Sequence, residues 1–566
     1  MTLSLGLSES LTESLLTASE FVFRLPDMRE NRLLVIGLDG YDASVADGFM
    51  AEGRLPNLTR LKSSSSRFLL DHGKQKYSGL AWEHFSTGLA PELSGRWSAV
   101  TFDPCSYQVL QTPTTREPLL AHTSIKAVVF DPPYFDMRKA PQVRGLVNWG
   151  AHDPGVAAMS RPGDLMDNIT AKFGPYPARD YIYAFTWPSV SRTQAAGDAL
   201  VAAVEQRTEI SRWLFCERLP DWELAIVVVS ELHSMIESMW HGLDASHPLH
   251  GHKSAAAARL AVERVYEAVD RFVGTLVESI PDAAVIAFSM HGMGPNRADL
   301  PAMLLLPELL YRLQFGRTLY EPRPQWREGD GLPLLAETES WEYAIKCCFK
   351  APHRARSGRI RALFGRLPAW PSSRVLPRTD GVRSDDVGLD LSLDWMPATL
   401  YQPYWHKMRA FALPGFYDGR IRINLMGRER HGRVRLRDYD AVCRELEDVL
   451  KACRDPQSRA PVVESIERHC PDNPQLLNGS SADLTVLWRG TPLALMHKDL
   501  GLIGPAPFRR TGGHTGGYGV CYIKSHAGIM GDLGIRSSFD VAPTIFHILG
   551  RPVPTDISGR SLFNQG

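Results

Sequence analysis

Three residues able to bind metal or move protons stand at equivalent places in this chain. Asp39 follows the apolar run RLLVIGL (32–38), His233 follows LAIVVV (224–229), and His291 follows AAVIAFS (283–289). Each run has the length and β-branching of a buried parallel strand. Ligands of open α/β sheets sit at the carboxyl ends of such strands, so one sheet would carry all three side chains at one end. Glu237 follows His233 by one helical turn, which puts both on one face. Imidazole and carboxylate are competent ligands for zinc or manganese. Ordinary readings stand beside these: Asp39 as a turn or cap aspartate, His291 as a satisfied core histidine, and His233–Glu237 as an exposed ion pair.

The elements that must position these groups alternate. Helical patterns at 55–62, 191–217 and 254–279 separate the apolar runs, and KAVVF (126–130) is a further strand. The expected fold class is α/β: a mostly parallel central sheet flanked by helices. Residues 301–410 are rich in proline, arginine and tryptophan, lack sustained periodicity, and read as an inserted, loop-rich cap. Regular patterns return from 411. GRIRINL, DLTVLW and YGVCYI read as strands, and DYDAVCRELEDVLKACR and the segment around DVAPTIFHILG as helices. The expected organisation is an extension at 1–30 (a short amphipathic helix or disorder), a core of 31–300 plus 411–566, and a cap of 301–410.

Lys+Arg and Asp+Glu balance at 63 each in 566 residues, so charge gives no reason to expect a nucleic-acid or membrane-surface partner. The basic cluster His353–Arg366 reads as a solvated helix face, and HPLHGH (247–252) as a solvated loop. The eight cysteines form no CxxC pair, which points to free thiols in a reducing compartment. MTLSLGLSESLTESLL lacks the basic start of a signal peptide, and no apolar run approaches the roughly 20 residues of a membrane span. The expected location is cytoplasmic. No G-x-x-x-x-G-K-[ST] phosphate loop occurs.

Seven segments together resemble the alkaline phosphatase superfamily, in particular its type I phosphodiesterase/nucleotide pyrophosphatase branch and related phosphohydrolases and phosphomutases. They are VIGLDGYD (35–42), SGLAWEHFSTGLAP (78–91), ELHSMIESMW (231–240), SMHGMGP (289–295), GRIRINLMGRE (419–429), GGHTGG (512–517) and DVAPTIFHILGRPVP (540–554). The resemblance implies an alkaline-phosphatase-like core with two divalent ions about 4 Å apart clamping a phosphoryl group. It also implies a metal-activated serine or threonine nucleophile at a helix start. Asp39 matches the first aspartate ligand. Ser78 matches the nucleophile, itself a metal ligand, in the register set by Trp82, Phe85, Thr87 and Pro91. Its ordinary reading is a helix cap. His514, between glycines, matches the last ligand, and with His233 and Glu237 it would form a three-ligand site with an open position.

Two departures qualify this. The family's Asp and His of one ion are replaced in reversed order by His233 and Glu237, with Glu231 and His241 nearby as substitutes. Where the family has Ser-Asp-His-Gly, this chain has Ser289-Met290-His291-Gly292. A thioether does not replace a carboxylate for a hard divalent cation. The nucleophile-side ion would keep Asp39, Ser78 and His291 alone, and is expected to be weak, absent or differently completed. The sulfatase signature C/S-x-P-x-R is not met at Ser78-Gly79-Leu80-Ala81-Trp82. The implied function is metal-dependent hydrolysis of a small-molecule phosphoric ester, diester or monoester. Zinc comes before manganese as cofactor, one or two ions are bound, and the cap chooses the substrate. The alternative is a catalytically attenuated member that keeps the fold as a binding module, with Met290 its best support. Oligomeric state stays open.

Overall fold

The computed structural model describes residues 30–350 and 391–564, apart from 153–154, 184, 187–188, 329–330, 338, 470–471, 478–479 and 527–528. The expectations for the N-terminal extension and for His353–Arg366 fall outside the described residues. Seven strands of the large sheet precede residue 300: β1 (Leu33–Leu38), β2 (Ser66–Asp71), β3 (Ala127–Phe130), β4 (Arg144–Val147), β5 (Met159–Arg161), β6 (Leu224–Val229) and β7 (Ala284–His291). Four more, β8 (Ala410–Leu413), β9 (Gly419–Ile423), β10 (Val463–Arg468) and β11 (Leu484–Trp488), form a separate sheet. The last two, β12 (Tyr518–Lys524) and β13 (Gly531–Ser537), return to the first.

The large sheet runs β13-β2-β12-β7-β1-β6-β3-β4-β5. Its centre, from β7 through β1, β6 and β3 to β4, is parallel. β1, β6 and β7 are buried along their whole length, as continuous apolar runs require when helices cover both faces. One face packs against the helices Val190–Trp213 and Ala255–Ser279, and the other against Ala81–Thr87 and Val541–Ile548. This is the α/β class expected. β7 runs through His291, so that histidine ends the strand rather than following it.

The second sheet, β8-β9-β11-β10, is antiparallel and has its own apolar core. That core draws on Leu304–Leu310, Trp341 and Trp405 as well as Ile421, Leu446 and Val486. Residues 410–503 thus belong with the cap rather than with the large sheet, to which the chain returns at β12. The cap is also less loop-rich than its composition implies. A π-turn over Pro301–Leu305 runs into the helix Leu306–Phe315. Pro301 sits in the first turn, where the missing N–H is no loss, and Pro307 follows the wider π-turn. Prolines read as breaks in the sequence are helix starts.

No helix among the described residues is long and apolar enough to cross a membrane. All seven described cysteines are free thiols.

Candidate functional site

The carboxyl ends of β1, β6 and β7 bring the expected side chains together. Asp39 Oδ2 accepts from His233 Nδ1 at 3.1 Å. His233 Nε2 lies 3.1 Å from His514 Nε2 and 3.4 Å from Glu237 Oε1. The rings of His291 and His514 are 4.3 Å apart. Gly40, at φ 77°, makes the Asp39 turn compatible with this approach, since a Cβ there would meet His233 Cα at 2.4 Å. Asp42 caps the next helix through Ser44 N and Val45 N, and its other oxygen accepts from Met293 N at 2.9 Å, tying the turns after β1 and β7. His233 and Glu237 share one helical face, as their spacing requires, but both are buried, which removes the reading of an exposed pair.

A residue missed in the sequence completes the group. His152, on the loop after β4, stacks on His233 at 3.8 Å between ring centres, and its Nε2 is 3.6 Å from Glu237 Oε2. The donor atoms of His152, His233 and Glu237 all lie within 4.8 Å of one another. Four histidines then show one arrangement, with Nδ1 spent on a neighbour. His152 Nδ1 reaches Ser234 Oγ at 3.2 Å, whose own proton goes to Ile182 O. His233 reaches Asp39, His291 reaches Gly292 O at 3.0 Å, and His514 reaches Lys76 O at 2.9 Å. These partners assign each Nδ1 as the protonated nitrogen and leave each Nε2 a lone pair. Such anchoring is what metal-ligating histidines carry. Two lone pairs do not face each other at 3.1 Å without a proton or cation between them. A tetrahedral ion with bonds of about 2.0–2.1 Å spaces its donors by about 3.3 Å, close to the separations found here. His152, His233 and Glu237 therefore fit one ion, and His514 reaches that group through His233.

Charge is balanced by other means when no ion is bound. Burial opposes charge on His233, but Asp39 and Glu237 beside it raise its pKa well above the ordinary value. Burial would likewise raise Glu237, yet Arg510 and then His233 hold it well below the usual carboxylate range. Arg510 ion-pairs Glu237 Oε2, and it grips Asp299 at 2.8 and 2.9 Å. Tyr417 donates to Glu237 Oε1 at 3.3 Å and stacks on His514 at 3.7 Å. Burial pushes His152 down to about 3 and His291 to about 4. Glu231 and His241, considered as substitute ligands, are committed elsewhere: Glu231 to Arg207, and His241 to Thr511 and Ser254.

Arg207 fixes the frame. Fully buried, it pairs with Glu231 at 2.9 Å and with Asp131 at 3.2 Å. Glu231 opens the helix carrying His233 and Glu237, and Asp131 accepts from Trp149 N and Gly150 N, just before His152. Truncating one partner of such a buried network leaves uncompensated charge and costs about 3–5 kcal/mol. Arg207→Met is expected to lose that much stability in a denaturant titration, and to weaken metal binding because the His152 loop loses its anchor.

Ser78 stands differently from expectation. The helix starts at Ala81, and Ser78 closes the preceding turn Gly73–Tyr77. Its Oγ donates to Gln75 O at 2.7 Å and accepts from Leu80 N at 3.1 Å. The segment nevertheless borders the histidines: Lys76 O holds His514, and a side-chain carbon at Gly79 would lie 3.7 Å from the Tyr417 ring. Met290 is buried in the apolar cluster of Trp82, Phe85 and Phe288, and supplies no oxygen ligand.

The family model for type I phosphodiesterase/nucleotide pyrophosphatase matches residues 33–340, more than half of the 566. The chain belongs to that family. The match covers Asp39, Ser78, His152, His233, Glu237 and His291, and ends before His514. No curated protein sequence matches the chain. Among solved structures, it is similar to phosphonoacetate hydrolase from Sinorhizobium meliloti 1021 in complex with phosphonoformate: 12% identity, 93% of this chain and 96% of that one, TM-score 0.46. It is similar to human ectonucleotide pyrophosphatase/phosphodiesterase 5, at 10% identity, 94% and 98% coverage and TM-score 0.42. It is also similar to a mutant of the alkaline phosphatase PafA, at 9% identity, 94% and 98% coverage and TM-score 0.43. Likenesses this distant say nothing about the site.

Proposed function

We propose that this family member is a metal-dependent hydrolase of phosphoric esters, diesters or monoesters, with Ser78 as nucleophile. The observation that carries the reading is the run of four histidines, each with Nδ1 anchored, that packs His152 on His233, His233 on His514 and His514 on His291, with Glu237 at its His152–His233 end. His152, His233, Glu237 and His514 would hold one divalent ion, zinc by its taste for imidazole nitrogen, with manganese second. Bound there, the ion supplies positive charge and Lewis acidity for a phosphoryl group. Asp39 keeps the Nδ1 proton of His233, and Lys76 O that of His514, so both rings keep their orientation. Ser78 Oγ would attack phosphorus and give up its proton to solvent, the ester oxygen would leave from the opposite side and take up a proton, and water would then cleave the phosphoserine to release the phosphoryl product and restore the hydroxyl. Asp39, His291 and Ser78 mark a second position. With Met290 in place of a carboxylate, we assign one ion to the resting protein. The expected cytoplasmic location remains part of this proposal.

Chelator-stripped protein, reloaded with zinc or manganese and assayed on p-nitrophenyl phosphate and bis-p-nitrophenyl phosphate, tests the reading. Turnover that returns with the metal supports it, and undiminished turnover in excess chelator refutes it. One observation favours the second reading, a binding module without turnover: Arg510 and the His233 proton already neutralise Glu237 and Asp39 without an ion. Metal bound with no turnover of either ester would select it.

Asp39 and Glu237 raise the His233 pKa well above the ordinary value, so metal uptake through this ring is expected to release a proton. Apparent affinity is expected to rise with pH, by about tenfold per unit while His233 stays protonated in the free protein. Calorimetry in two buffers of different ionisation enthalpy would read about one proton released per ion at neutral pH. An affinity that does not move with pH would mean His233 is neutral.

Met290→Asp probes the second position. Without metal, a carboxylate in an apolar cluster lowers the Tm. In excess metal the variant is expected to bind a second equivalent and recover that loss. If it takes up no more ion than Met290→Asn, the second position is not a metal position.

A further inference from the structure

The charge balance of the whole chain hides one lopsided segment. Residues 430–437, RHGRVRLR, hold four arginines and no acid. They follow β9 in the cap, where the chain turns back beside itself. Met426 N donates to Val434 O at 2.8 Å, and Arg433 N and Val434 N both donate to Asn424 O. Val434 is buried in the second core, so its extended neighbours Arg433 and Arg435 face outward. Arg430, Arg433, Arg435 and Arg437 are all exposed.

The nearest acids are engaged beneath this surface. Glu429 is buried and takes Arg422 at 2.7 Å and Arg428 at 2.9 Å. Asp483, also buried, takes Arg428 at 2.7 Å and the Tyr439 hydroxyl at 2.9 Å. Arg430 N donates to Pro104 O, but the neighbouring Asp103 accepts from Cys105 N and Ser106 N of its own turn. At the surface, Arg433 Nε donates to His406 O at 3.0 Å, and Arg437 has Asp438 at 3.8 Å. Among the described residues, Arg430 and Arg435 have no ion-pair partner.

Large aliphatic side chains stand out beside the arginines. Met426 is 48% exposed, Leu436 52% and Leu476 58%. Arg428 Nη1 donates to Pro474 O and Gln475 Nε2 to Met426 O, which fastens the turn of Leu476 to the turn of Met426. One exposed leucine needs no explanation. Three aliphatic groups on a rim of unpaired guanidiniums make the composition of a surface that lies in a lipid interface. The buried ion pairs also hold this rim in place, so docking has little ordering to impose. A nucleic acid would meet the same charges, but its bases stack on aromatic rings. The apolar groups here are aliphatic, and the ring of His431 already lies on Tyr107.

We propose that this rim of the cap docks on an anionic phospholipid bilayer, with its arginines on headgroup phosphates and Met426, Leu436 and Leu476 in the interface. The docking is peripheral, and it stands apart from the hydrolase reading, since no residue of the histidine group takes part.

Sedimentation of the full chain with vesicles tests it. Vesicles of equimolar phosphatidylcholine and phosphatidylglycerol are expected to carry the protein down, less so as salt rises, and vesicles of phosphatidylcholine alone are not. Arg430→Ser with Arg435→Ser is expected to lower the partition coefficient about 25-fold, about fivefold per charge. The pair Arg430→Lys with Arg435→Lys keeps the charge and should bind nearly as the parent does. Leu436→Ser is expected to weaken binding about tenfold at any salt. These side chains are exposed, so the Tm of each variant should stay within about 2 °C of the parent. No uptake by the anionic vesicles, equal uptake by the neutral ones, or a partition that the serine pair leaves unchanged overturns the proposal. So does binding of poly-uridylate RNA that the serine pair abolishes while anionic vesicles take up no protein, which would make the rim a nucleic-acid surface.

Discussion

Ser78→Ala is expected to abolish turnover of phosphate esters, with kcat falling on the order of 10⁴-fold or more, as for other nucleophile deletions. The hydroxyl stands two residues from the carbonyl that anchors His514. Its removal also costs two hydrogen bonds, to Gln75 O and from Leu80 N. A typical net loss is about 1 kcal/mol per bond, so a modest fall in Tm accompanies the loss of rate. Metal binding through His152, His233, Glu237 and His514 should survive. Steady-state kinetics with a metal count on the same sample separates these effects. Retained turnover with a full metal complement would remove Ser78 from the mechanism.

The second large effect belongs to His233. It touches Asp39, Glu237, His152 and His514, so His233→Ala removes both a ligand and the ring that organises the others. Stable metal binding is expected to disappear, and turnover with it. Asp39→Asn is the informative partner. An amide can still accept the Nδ1 proton of His233 but contributes no charge. Partners of this kind typically change metal affinity by about 10–100-fold. A loss for Asp39→Asn as complete as that for His233→Ala would mean that Asp39 binds the ion directly, as the family resemblance implies.

Much of this site was legible because strand ends are legible. The runs before Asp39, His233 and His291 are largely apolar, and their ends mark without any structure the end of the sheet where these side chains gather. His152 escaped because its strand, Arg144–Val147, is short, carries Gly145 and is separated from the histidine by a loop. The same rule, a polar group beyond a strand's carboxyl end, would have found it with a longer strand. Arg510 escaped for another reason. Two adjacent arginines read as surface, and only their burial against Asp299 and Glu237 gives them a role. Ser78 was placed at a helix start because SGLAWEHF reads as cap and helix. Gly79, at φ 73°, delays the start to Ala81. The cap was under-read because prolines at first-turn positions look like breaks, and because short strands such as β8 and β9, buried throughout, carry no mark of the sheet they join. Which sheet a strand joins is set by long-range packing, to which local pattern is blind.

The central claim is that four protein donors hold one catalytic ion. Elemental analysis of metal-loaded, desalted protein, with turnover measured on the same sample, tests it most directly. The account predicts about one zinc or manganese per chain in the parent, with turnover proportional to occupancy, and loss of both in His514→Ala. Full turnover in parent protein that carries no ion, or an unchanged metal count and turnover in His514→Ala, would contradict it.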